Sequence, residues 1–144
     1  MSAADELHAA AERLRTLATA ATAGPWYQHD THLNQGGHTA TVLTDRENVN
    51  DNELIAWVPT WSHQAWDETR NAWNNAAYLA AMHPGVGTSL AELLAATADF
   101  AAAYPEMAHD HDRPACDDYA CDVMGRALAV ARTILGTQDD GSSR

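Results

Sequence analysis

The sequence predicts an α+β fold: an N-terminal helix, a three-stranded antiparallel meander and three C-terminal helices. Two observations carry the helices. Apolar residues recur at three- and four-residue spacing over the first twenty residues and again from about residue 62 onward. Between these regions lie three short β-favouring runs separated by turn residues, too close together for helical crossovers. No internal repeat is present. Residues 1–136 read as a single α+β domain and residues 137–144 as a polar tail.

The first helix opens on Ser2, with Asp5 three residues on as its capping-box partner. Leu7, Ala10, Leu14, Leu17 and Ala21 fall on one face. Gly24 and Pro25 end it, glycine supplying a positive φ and proline fixing the exit. Trp26–Leu33 follows as a strand, with Asn34-Gln35-Gly36-Gly37 as the turn. Thr39–Thr44 is the second strand and Leu54–Val58 the third, joined by a polar loop from Asp45 to Asn52. A meander of this size needs a helix across one face.

Helical spacing returns from Ser62, where Trp66, Trp73, Ala77 and Ala80 share a face and His83-Pro84-Gly85 stops the element. Ser89 and Glu92 form a second capping box, followed by a stripe of Leu90, Leu93, Leu94, Thr97, Phe100 and Tyr104 that Pro105 ends. The last helix runs from Tyr119 to Leu135, with Met124, Leu128, Ala131, Ile134 and Leu135 inward and Gly136 as its cap. Its apolar positions, Val123, Ala127 and Val130 among them, are broad enough to bury two sides. A homodimer would use the second side.

Two local motifs occur together. Ala20-Ala21-Thr22-Ala23-Gly24-Pro25-Trp26 closes the first helix, and Asn75-Ala76-Ala77-Tyr78-Leu79-Ala80-Ala81-Met82-His83-Pro84 precedes a Leu-rich helix. In this the chain resembles the Ead/Ea22-like group of small phage and prophage proteins and related actinobacterial and actinophage proteins. Their pattern is an Ala-Thr-Pro-Gly-Pro-Trp turn, a variable β segment, then an Asp/Asn-Ala-x-aromatic-Ile/Leu-Ala-x-x-x-Pro helix. The chain departs from it at Ala23, where the group has proline. The resemblance implies a phage-type accessory protein and carries no chemistry with it.

Charge sets the class of partner. Twenty acidic residues face eight basic ones, for a net −12. All eight basic residues are Arg. Such a surface repels phosphate and disfavours direct nucleic-acid binding. The N-terminus lacks the basic start and apolar run of a secretory signal, and no stretch is apolar enough to span a bilayer. The expected location is the cytoplasm, the host's if the chain is phage-encoded.

The segment His109–Cys121 holds the strongest candidate metal ligands: His109, His111, Cys116 and Cys121. Two His and two Cys offer the donor set zinc prefers. The spacing matches no standard zinc knuckle, so two other outcomes stay open, namely cysteines packed beneath the last helix and a disulfide. His29, His32 and His38 form a second histidine group on the first hairpin. His29 and His32 are three residues apart, on opposite sides of a strand, which argues against a shared cation.

Nucleophilic chemistry lacks its parts. No nucleophile elbow is present, and Gly85-Val86-Gly87 is too short for a phosphate loop and lacks the lysine, leaving it the role of a tight interhelical turn. The expected function is therefore binding without catalysis, with a protein as partner and Trp26, Trp57, Trp61 and Trp66 as candidate contacts, since Trp dominates interface energetics. Two readings compete with it: sequestration of a small nucleotide-like ligand by Trp and Arg, and a zinc-dependent hydrolase built on the His/Cys loop.

Overall fold

The computed structural model of the protein describes residues 1–32, 37–58, 70–108 and 118–137. In chain order the elements are α1 (Ala3–Ala20), β1 (Trp26–Asp30), β2 (Ala40–Thr44), β3 (Leu54–Trp57), α2 (Arg70–Ala81), α3 (Pro84–Ala103) and α4 (Tyr119–Leu135). Short 3₁₀ turns occupy Val49–Asp51 and Pro105–Ala108. The α+β class and the order of helix, antiparallel sheet and helices are those the sequence predicts. Two compact units emerge, Met1–Leu17 with Thr88–Arg144, and Ala18–Gly87. No helix among the described residues is long and apolar enough to cross a membrane.

The first unit is helical. Its capping box forms as read: Ser2 Oγ accepts from the Asp5 N–H at 3.2 Å, and Asp5 Oδ2 accepts from the Ser2 N–H at 2.9 Å and hydroxyl at 2.7 Å. Those bonds from the Ser2 hydroxyl and N–H hold the Asp5 carboxyl below its ordinary range. The core joins Leu7, Ala10 and Ala11 of α1, Leu94, Ala98 and Ala101 of α3, and Met124, Leu128 and Ala131 of α4. Burying each of the large members contributes roughly 1.5–3 kcal/mol. At the edge of the core Arg132 Nε donates to Glu6 Oε2 at 2.8 Å, tying α4 to α1.

The apolar stripe expected on α3 is only partly its buried face: Leu94 is buried and Leu90 packs against the core, but Leu93, Phe100 and Tyr104 face outward. Ala91, Leu94, Ala98 and Ala101 are buried, whereas Leu93 is 62% exposed, Phe100 39% and Tyr104 49%. The reason is packing distance. Small side chains allow helices to approach closely, so the alanines face the core and the bulky residues are left outside. The start of α3 also differs: it begins at Pro84, placing Ser89 and Glu92 inside the helix. Proline suits the first helical position because it has no N–H to satisfy there. The His83 carbonyl accepts from the Val86 N–H at 2.9 Å, and His83 Nδ1 accepts from the Gly85 N–H at 3.1 Å. His83 thus caps α3, and Gly85-Val86-Gly87 is its first turn instead of an interhelical connection.

The second unit is a sheet with one helix on it. The strand order is β1-β2-β3, antiparallel throughout, with Trp26 opposite Thr44 and Asp30 opposite Ala40. Thr41 pairs with Trp57 and Val42 with Ala56, after which a bulge shifts the register so that Leu43 meets Leu54. Ala72, Ala76 and Ala80 of α2 lie with Ala40 and Val42 in a core that Trp26, Ile55 and Trp73 flank. The buried row of α2 is therefore rotated from the expected one: Ala80 belongs to it, but Trp73 and Ala77 stand half-buried beside it.

The corner between α1 and β1 is closely held. Trp26 Nε1 donates to the Thr22 carbonyl at 3.1 Å. The Arg46 guanidinium donates to the Gly24 and Ala23 carbonyls at 3.0 and 2.6 Å, and the Asp45 N–H to Pro25 at 2.9 Å. The Gly24–Pro25 peptide is cis, and Gly24 does not adopt the positive φ expected of it. Space is what requires glycine here. A Cβ on Gly24 would stand 2.5 Å from His83 Nδ1 and 2.9 Å from Cγ.

Candidate functional site

Two places in the described residues offer chemistry, one in each unit. The first lies at the loop end of the β1–β2 hairpin. The Asp30 carboxylate is its hub: Oδ1 accepts from the Thr39 N–H at 2.9 Å and the His32 N–H at 3.2 Å, while Oδ2 meets His38 Nδ1 at 2.6 Å. His32 Nε2 stands 3.5 Å from the same Oδ2. The two imidazole centroids are 5.5 Å apart. Burial pushes the Asp30 carboxyl up, but the Thr39 N–H, His38 and the His32 N–H outweigh it and hold the group at about 2.

Local backbone shapes this cluster. His32 has φ 51°, a left-handed conformation uncommon for a side chain with a Cβ. Its N–H bond to Asp30 Oδ1 is an Asx turn, the local bond that makes such a bend affordable. One donor atom from each of Asp30, His32 and His38 lies within 4.8 Å of the others, a set able to hold a metal ion. His29 takes no part in this set: its ring is 5.7 Å from that of Tyr27, and the residue is exposed on the other side of β1. The spacing of His29 and His32 argued against a metal site on this hairpin; Asp30, His32 and His38 nevertheless form a set that could hold one, built on a carboxylate.

The second place is an apolar groove between α3 and α4. Ala96, Thr97 and Phe100 form one wall and Tyr119, Ala120, Val123 and Met124 the other, around an open volume of about 330 Å³. Phe100 and Tyr104 pack ring against ring at 5.0 Å, and Tyr119 is 80% exposed. Val123 and Val130 extend the same surface along α4. Among its described lining residues the groove has no carboxylate, imidazole, amine, guanidinium or thiol, and the Tyr119 phenol is its one ionisable group. It can exclude water from an apolar guest.

Of the residues singled out from sequence, His109, His111 and Cys116 lie outside the described residues, as do Trp61 and Trp66. Cys121 sits half-buried in the first turn of α4, whose N-cap is Asp118, with its Sγ 3.8 Å from Met107 Sδ. Trp26 packs at the α1–β1 corner and Trp57 is 59% exposed on β3. These two are not brought together: along β2 Trp26 faces Thr44 and Trp57 faces Thr41. Sequence reasoning missed Asp30 and misassigned Phe100, Tyr104 and Leu93 to the core. Comparison of the chain with protein-family models, with curated proteins and with solved structures finds no match.

Proposed function

We propose that the chain is a non-catalytic binding protein that receives a protein partner in the groove between α3 and α4. The observation that carries this is the exposure of Leu93 and Phe100 on α3, of Tyr104 just past its end, and of Tyr119 and Val123 on α4. A continuous apolar surface of this kind fits an amphipathic helix laid along it. Glu92, Asp99 and Asp122 on the same helices are exposed, which favours a partner with a basic border. The phage-type accessory role that the resemblance implies, exercised in the host cytoplasm, belongs to the same proposal.

A nucleotide-like ligand fits this groove poorly, because its described lining holds neither Trp nor Arg. Hydrolysis finds no support there either, since its described lining holds no carboxylate, imidazole or thiol. A zinc ion is compatible with a binding role as a structural staple.

The test is site-specific photo-crosslinking in lysate of the native host. A photoreactive side chain at position 123, on the groove, should give one discrete heterologous adduct that disappears in a Phe100→Glu background. The same side chain at position 129, exposed on α4 away from the groove, should give none. Equal labelling from both positions, or none from 123, defeats the reading. An adduct of twice the chain's own mass would mean a homodimer in place of a foreign partner.

A further inference from the structure

We propose that Asp30, His32 and His38 form a binding site for a divalent first-row transition metal, with zinc the cation of choice. This inference is independent of the groove. Imidazole and carboxylate donors in one cluster suit zinc and its neighbours, and three protein ligands leave a position for water or a guest. Calcium and magnesium need more oxygen donors than the cluster offers.

The geometry is close to what a cation needs. Zinc bonds of ordinary length in a tetrahedral arrangement place neighbouring donor atoms about 3.3 Å apart. His32 Nε2 already stands 3.5 Å from Asp30 Oδ2; His38 Nδ1, at 2.6 Å, has only to open slightly as a metal replaces the hydrogen bond. Asp30 is supported as metal-binding carboxylates are. Its second oxygen is fixed by two backbone N–H groups, which aims the first at the imidazoles. The His32 and His38 side chains are 55% and 48% exposed, so the cation has a path from solvent.

Register explains why the three converge. Asp30 opposes Ala40 across the hairpin, and the same pairing carried two residues further sets His32 opposite His38. Residues two apart share a face of an extended strand, so Asp30 and His32 start on the same side. The bend at His32 then leaves its ring next to that carboxylate. A cation here would join the end of β1 to the approach to β2.

The experiment uses untagged full-length protein carrying Cys116→Ser and Cys121→Ser, which removes every thiolate. Zinc is titrated by calorimetry and cobalt by visible absorption. The expected result is one equivalent of each, with cobalt d–d bands and no thiolate charge-transfer band. Asp30→Asn keeps an acceptor oxygen for the two N–H groups and should weaken binding by roughly tenfold or more. His38→Ala should do the same, and His29→Ala should leave affinity unchanged. Circular dichroism confirms that each variant is folded. No binding by the thiol-free protein overturns the proposal, as does unaltered affinity in both Asp30→Asn and His38→Ala.

Discussion

The imidazole of His83 lies directly against the backbone of Gly24, joining the residue that caps α3 to the turn that leaves α1. A side chain at position 24 must displace either the ring or the backbone. Gly24→Ala should therefore destabilise the protein by about 1–3 kcal/mol, the usual cost of overpacking. Chemical denaturation measures it. Combining Gly24→Ala with His83→Ala should recover much of the loss, because the clash then has no second partner.

Arg46 holds the same turn from the other side through the Gly24 and Ala23 carbonyls. Arg46→Met keeps most of the aliphatic stem and removes both donors. A loss of about 1.5–3 kcal/mol is expected, the range for hydrogen bonds made by a charged group. An unfolding midpoint equal to that of wild type would show that the clamp contributes nothing.

Neighbouring leucines on α3 should respond in opposite ways. Leu94 is 1% exposed, and Leu94→Ala should cost about 2–5 kcal/mol. Leu93 is 62% exposed, and Leu93→Ala should shift stability by no more than about 0.5 kcal/mol. Equal losses would restore the inward stripe that periodicity suggests.

The cap of α1 predicts a pH dependence. Hydrogen bonds from Ser2 lower the Asp5 carboxyl below 3.8, its value in an unstructured chain. A depressed carboxylate stabilises the fold above the unfolded value, and that contribution is lost as pH falls through the folded one. The stability advantage of wild type over Asp5→Ala should be constant near neutrality and shrink only below about pH 3.8. A gap that widened on acidification would have the wrong sign.

Elements with local signals were legible in the sequence. Ser2 with Asp5 and Gly136 at the end of α4 are short-range devices, and the strands sit where turn residues isolate them. What was not legible depends on partners distant in the chain. Leu93, Phe100 and Tyr104 have the spacing of a core, and only the close approach of α1 and α4 shows that alanines take that place. Similarly, counting histidines hides the hairpin cluster, since its hub is Asp30 and its third member arrives through the β1–β2 register. The glycine of the α1–β1 turn was visible, but its reason lay at His83, some sixty residues away.

The alanine-lined core of the helical unit has an outcome for how copies of this protein meet one another. Filling the interior with the smallest apolar residue displaces bulky hydrophobic area to the surface, where it would ordinarily drive clumping. The chain's net charge of −12 opposes that, because two identical molecules repel before their oily faces touch. Salt weakens this mutual repulsion. The acidity thus acts as a colloidal guard between like molecules, and concentrated salt should be the condition under which the protein first sticks to itself.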